Sequence, residues 1–313
     1  MFDSVEVRVA YCEEMIKLAK ADERIVLVEA DLCRAAGMMK FKEEFPERTF
    51  DVGVAEANMA GIAAGLAAMG KRPFIHTFAP FMTHRALDQI VVSIAYANLP
   101  VKIIGSDPGF SAEVNGGTHM SFDDIGIMRA IPDMTVFEPC DEASMRALLP
   151  QMHAIDKPCY MRLFRKKAET VYTSPEAHDF KIGKCNLLKS GSDVLVITYG
   201  AVTIDCLKAA AVLDGDGISV AVADMHTIKP LDLDFLAANI GKYKAVVTVE
   251  NHSVMNGLGS AVAEYIAESG QAVKFKRIGV QDRFGEVGFR PYLQQALGLD
   301  ADSIAEGIKC LVK

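Results

Sequence analysis

The sequence predicts an α/β protein in two domains, and three observations carry that expectation. Short β-branched runs alternate with longer amphipathic or Ala-rich stretches along most of the chain, as expected of parallel strands whose crossover helices cover both faces of a sheet. The alternation lapses once, over RKKAETVYTSPEAHDFKIGKCNLLKSGS from Arg165 to Ser192, where charge, a Ser-Pro pair and turn residues read as a linker. The length of 313 residues suits two domains of roughly 150 residues each.

The elements follow in order. A helical stretch around Glu13 to Lys20 precedes the strand Ile25–Val28, and a strand over Thr49–Val52 leads into a small-residue helix from about Glu56 to Met69. Further strands are expected at Pro73–Thr77, Val101–Ile104, Thr135–Phe137 and Tyr160–Leu163. Beyond the linker the rhythm resumes with strand Asp193–Tyr199, helix Val202–Val212, strands Ile218–Val222 and Ala245–Val249, and helix Leu258–Glu268. The expected division is residues 1–165, linker 166–190 and residues 191–313.

Composition excludes several classes of function. Half the residues are apolar and 24% are charged, which is ordinary for a packed protein. A net charge of −8 without basic runs argues against nucleic acid or an anionic membrane as the partner. No stretch reaches the ~20 apolar residues of a membrane span, and the acids in MFDSVEVRVAYCEEM do not suit a secretory leader. Seven cysteines without a C-x-x-C pair read as reduced thiols in a cytoplasmic protein. The tripeptide Gly215-Asp216-Gly217 lies between a helix and a strand with no Asn-Asn behind it, so it reads as a turn.

A few residues could carry chemistry. Glu56 falls in the first turn of its helix, where the macrodipole alone would favour a carboxylate. Behind it, Ala60, Gly61, Ala64, Gly65 and Ala68 leave little bulk on two faces, which permits close approach to a sheet or to another chain. Phe78 and Phe81 follow the strand Pro73–Thr77, a place for core aromatics or for the grip on a flat ligand. In the Gly-rich loop GFSAEVNGGTH from Gly109, a core role for His119 is hard to justify, and Asp107 and Asn115 read as turn formers. Arg162, in an apolar run, needs a partner if buried. His252 begins a strand-to-helix turn and reads as structural.

Longer motifs then coincide with a known family. DVGVAEANM (51–59), FAPFMTHRALDQ (78–89), GGTH (116–119) and IPDMTVFEPCD (131–141) resemble transketolases, and more narrowly the C-terminal half of a transketolase made as two polypeptides. VENHSVMNGLGSAVAE (249–264) and RIGVQDRFGEVG (277–288) resemble the C-terminal domain of the same superfamily. The resemblance implies a pyrimidine-binding domain of the thiamine-diphosphate fold, with a parallel sheet, followed by a smaller α/β transketolase C-terminal domain. It implies thiamine diphosphate as cofactor. A separate N-terminal subunit would hold the diphosphate and its Mg²⁺ or Ca²⁺, in a dimer of heterodimers.

By the same resemblance Glu56 matches the cofactor-activating glutamate, Phe78 and Phe81 the aromatics on the pyrimidine, and Asp31 an acid near the thiazolium. His119 matches a histidine on the substrate hydroxyls, and Arg8 and Arg162 match two arginines on the sugar phosphate. Asp107 stands where the family has a phosphate-binding histidine, Asn115 where it has an aspartate that reads a hydroxyl, and Ala35 where it has a serine. A carboxylate about 5 Å from a phosphate would repel each unit of charge by roughly 3 kcal/mol at an effective dielectric near 20. Asp107 thus points to an unusual ketose such as apulose 4-phosphate, and Asp107→His is expected to gain activity on xylulose 5-phosphate. The rival readings are a β-type subunit of a 2-oxo acid dehydrogenase and a regulatory subunit without activity.

Overall fold

The computed structural model describes residues 5–176 and 178–312. The first half contributes β1 (Ile25–Glu29), β2 (Thr49–Asp51), β3 (Arg72–Phe78), β4 (Lys102–Ser106), β5 (Thr135–Phe137) and β6 (Cys159–Leu163). The second contributes β7 (Asn186–Lys189), β8 (Val194–Thr198), β9 (Val220–Asp224), β10 (Thr227–Lys229), β11 (Ala245–Ser253) and β12 (Lys274–Val280). They form two sheets, ordered β10-β5-β6-β4-β3-β1-β2 and β12-β11-β8-β9-β7. Every pairing is parallel except β10 with β5 and β7 with β9. Strands β1, β4, β6, β8 and β9 are buried along their whole length, which is why they read as continuous apolar runs.

Three strands depart from the expected pattern. Part of the expected linker is β7, an antiparallel edge strand on the second sheet. Strand β12 carries Lys274, Lys276 and Arg277 on an edge and stays largely uncovered, so charge masks its period. Strand β10 is only three residues long, yet it adds an antiparallel edge to the first sheet. The two halves of the chain are therefore interlocked. Gly215-Asp216-Gly217 closes the helix Thr203–Gly215 and turns into β9 with Gly217 at φ +77°. Among the described residues no helix is long and apolar enough to cross a membrane.

The carboxyl ends of β1, β3, β4 and β6 share one edge of the first sheet, the usual ligand-binding edge of a parallel sheet. The second domain braces the loops there. Asn251, in β11, accepts a hydrogen bond from the Phe110 N–H at 3.0 Å and donates to the Pro108 carbonyl at 3.1 Å. The Gly126 N–H donates to His252 Nε2 at 3.3 Å, and His252 is fully buried. A Cβ at Gly117 would collide with the Gly285 carbonyl, so the Gly-rich loop is seated directly on the second domain.

Candidate active site

Glu56 opens the helix Glu56–Ala68 without a side-chain cap before it, and its side chain is only 4% exposed. A buried carboxylate needs a partner, and Arg85 supplies one, with Nη1 at 2.7 Å from Oε1. Arg85 closes a π-helical turn, Phe81–Arg85, and its Cζ lies 3.7 Å from the centroid of the Phe81 ring. On the same helix as Glu56, a Cβ at Gly61 or Gly65 would meet only open space, so that side of the helix is uncovered, while Ala60 and Ala64 face the core.

Phe81 and Phe78 meet edge to face at 5.6 Å, and His119 packs on both, at 5.0 Å and 5.5 Å. Phe78 is placed by the end of β3, and His119 by a single 3₁₀ turn, Gly117–His119. The Thr118 hydroxyl lies 3.0 Å from His119 Nδ1. At the rim, His84 Nε2 lies 2.9 Å from Asp123, and this hydrogen bond raises the imidazole pKa.

The array continues into a corner that holds two arginines, each paired with a carboxylate. Arg165 sits over Phe78 with its Cζ 4.7 Å from the ring centroid. It donates from its backbone N–H to Asp107 Oδ1 at 2.9 Å and from Nε to Oδ2 at 2.6 Å. Arg165 and Arg8 both donate to the Ala35 carbonyl, at 3.2 Å and 3.1 Å. Arg8 is paired with Glu6 at 2.7 Å. Burial pushes the Asp107 pKa up, against the pull of Arg165.

Contacts therefore run unbroken from Glu56 through Arg85, Phe81, His119, Phe78 and Arg165 to Asp107 and Arg8. Asp31 and Asn115 lie outside that chain of contacts. Asp31 is exposed at φ +60° just past β1, its N–H donating to Asp51 Oδ1 at 3.0 Å. Asn115 is exposed in the loop that carries His119.

Two expectations change. Arg162 has no exposed surface: its guanidinium bonds Asp124 at 2.8 Å and 3.1 Å, Glu138 at 2.7 Å and the Asn251 carbonyl at 3.0 Å. Strand alternation puts it on the face of Tyr160, whose hydroxyl also donates to Asp124 at 2.7 Å. No sugar phosphate can reach it; it ties the two domains together. Asp107 is 2% exposed and neutralised by Arg165, so the bare repulsion expected of it does not apply.

Arg85 and Arg165 are the site residues that the sequence reading passed over. Arg165 stands at the boundary of the first domain and the linker, and its place just past a strand at the ligand-binding edge is the available signal. Arg85 offered only its position in FMTHRALDQ, between the aromatics and a helix.

Chemically, the arrangement presents a buried carboxylate beside an aromatic shelf, an imidazole on that shelf, and two arginines at the far end. Such a site suits a flat nitrogen heterocycle next to an anionic hydroxylated substrate.

Residues 3–170 match the family model described as transketolase, pyrimidine binding domain, and residues 183–304 match transketolase, C-terminal domain. The chain is 48% identical over 298 residues to the 6-deoxy-6-sulfo-D-fructose transketolase subunit SqwH of Clostridium sp. (strain MSTE9), covering 95% of this chain and 92% of that one. It is 40% identical over 302 residues to a protein of Methanocaldococcus jannaschii named as a transketolase C-terminal section, covering 96% and 95%. A solved structure titled as a split gene transketolase, inactive beta4 tetramer, is similar with a TM-score of 0.89 and 37% identity, over 99% of this chain and 98% of that chain.

Proposed function

The chain belongs to the transketolase family, and on that premise we propose that it is the C-terminal subunit of a split transketolase, moving a two-carbon ketol unit from a ketose to an aldose with a separate N-terminal subunit. The observation that carries this reading is the Glu56–Arg85–Phe81–His119–Phe78–Arg165 array, which lines up a carboxylate, an aromatic shelf and an anion-binding end on one edge of the sheet. The relatives support it too. The chain spans nearly the full length of the SqwH subunit but 46% of a 1-deoxy-D-xylulose-5-phosphate synthase from Syntrophotalea carbinolica, to which it is 37% identical.

The residues fit thiamine diphosphate at its pyrimidine end. Bound there, the cofactor supplies a nucleophilic carbon and an electron sink for the two-carbon unit. Glu56 would act as the acid–base group toward a pyrimidine nitrogen. Phe78 and Phe81 set the plane of the ring. His119 would hold a hydrogen bond at the substrate hydroxyls, with Asn115 on the same loop, and Asp31 would supply negative charge on the cofactor's cationic side. Arg165 and Arg8 bind the anionic end of the sugar. Arg162 has no substrate role in this reading.

The diphosphate and its divalent cation, Mg²⁺ or Ca²⁺, are assigned to the N-terminal subunit. The uncovered face at Gly61 and Gly65, with exposed Val54 just before the helix and exposed Tyr96 at the end of the segment Ile90–Ala95 that packs against it, is where we place that subunit, in a dimer of heterodimers. The ketose donor we propose is a modified one. Asn115 hydrogen-bonds without charge where the family has an aspartate, and the related SqwH subunit is named for a sulfonated fructose. Apulose 4-phosphate is a second candidate.

The test is ketol transfer by the reconstituted pair with xylulose 5-phosphate, apulose 4-phosphate and 6-deoxy-6-sulfo-D-fructose as donors. A higher kcat/KM on one of the last two supports the reading. Equal efficiency on all three overturns the donor assignment, and acyl transfer from a 2-oxo acid without ketol transfer overturns the function.

Asp107→Asn tests the arginine corner. It removes the charge that holds Arg165 by two hydrogen bonds, so KM for the anionic donor should rise about tenfold, given charge-assisted bonds worth ~1.5–3 kcal/mol. The effect on kcat should be smaller. Asp107→His should lose activity on the same grounds, the reverse of what repulsion alone implies. Gain of xylulose 5-phosphate activity in Asp107→His would show that Arg165 does not depend on Asp107.

A further inference from the structure

We propose that Arg85 stands in for the cofactor's aminopyrimidine in the cofactor-free subunit, and that it must leave Glu56 and the Phe81 shelf before the ring can bind. The inference rests on the assignment of Glu56 and Phe81 made above.

Three features carry it. The guanidinium is flat, cationic and a hydrogen-bond donor, and it makes at once the two contacts that the ring would need. One is the 2.7 Å bond to Glu56 Oε1; the other is the stack on Phe81 at 3.7 Å. The backbone is shaped for this. The turn Phe81–Arg85 is π-helical, a rare geometry frequent at functional sites, and it returns residue 85 to the ring of residue 81.

Exposure distinguishes this arginine from a structural counterion. Arg162, which neutralises two buried carboxylates for good, is 0% exposed at its side chain, whereas Arg85 is 47% exposed against 4% for Glu56. Half of Arg85 is already in solvent, so its stem can rotate outward without opening the core. Losing Arg85 without a replacement would leave Glu56 buried and uncompensated, so the pair is more than a surface contact. What it does is keep a buried carboxylate compensated until a heterocycle replaces the guanidinium.

The gate should therefore oppose cofactor binding. Affinity of the reconstituted pair for thiamine diphosphate at fixed Mg²⁺, read by isothermal titration calorimetry, tests this for the parent, Arg85→Met and Arg85→Lys. Arg85→Met frees Glu56 and the shelf and should bind the cofactor about tenfold tighter. Arg85→Lys keeps the charge but loses the flat stack, and should also bind tighter than the parent. Parental or weaker affinity in Arg85→Met overturns the proposal. Tighter binding in Arg85→Met with parental affinity in Arg85→Lys also overturns it, since charge alone would then account for the effect. Absence of binding in the parent and both variants would instead overturn the assignment of the Glu56 site.

Discussion

Glu56→Gln in the assembled enzyme is expected to fold and associate like the parent while losing roughly 10²–10⁴-fold in turnover, the usual contribution of a positioned acid–base group. The amide has nearly the same shape, and the helix Glu56–Ala68 gains no other cap from the carboxylate. In the proposed mechanism the substitution removes the acid–base group that would face the pyrimidine nitrogen. It also removes the negative partner of Arg85, 2.7 Å away, so cofactor affinity should not fall in proportion to turnover. Hydrogen–deuterium exchange at the reactive carbon of bound thiamine diphosphate isolates the step. An exchange rate equal to that of the parent would mean that Glu56 is not the activating group.

Arg162→Met is expected to have the largest effect on stability. Its guanidinium is the shared partner of Asp124 and Glu138, and all three side chains are fully buried. Burial already pushes the Glu138 pKa upward against the pull of Arg162. Removing the cation strands two carboxylates in the interior, and breaking a buried ion pair in this way costs about 3–5 kcal/mol. Arg162→Lys should recover little, because one ammonium cannot reproduce the fork on Asp124 together with the bond to Glu138. Urea unfolding of the purified subunit measures the change. A loss below about 1 kcal/mol, coupled with a raised KM for the ketose, would return Arg162 to the substrate site.

The strands buried on both faces, such as β1, β8 and β9, were legible because continuous Val, Ile and Leu runs leave no other explanation, and of the edge strands only the short, exposed β2 was predicted with them. The strands missed are the other edges, where charge in β12 or mere shortness in β10 hides the period. At the site, the residues readable from motifs were those with one chemistry to offer: a lone carboxylate, aromatics after a strand, and a histidine among glycines. Pairings were not readable. Arg85 meets Glu56 across 29 residues and Arg165 meets Asp107 across 58, and only folding brings either pair together. Arg162 and Arg165 are set apart by a local feature. Arg162 lies within β6 and shares the Tyr160 face, whereas Arg165 lies past the strand end and reaches Phe78; the period of two distinguishes them once the end of the strand is known.

If this chain holds one half of a divided active site, ketol transfer by the purified chain is the measurement to make. With thiamine diphosphate, Mg²⁺ and a ketose–aldose pair, the chain alone should give no turnover above background, consistent with the inactive beta4 assembly named for its structural relative. Adding the N-terminal subunit should restore activity that saturates near one copy per chain. Robust ketol transfer by this chain without the second subunit would mean that the active site is not divided.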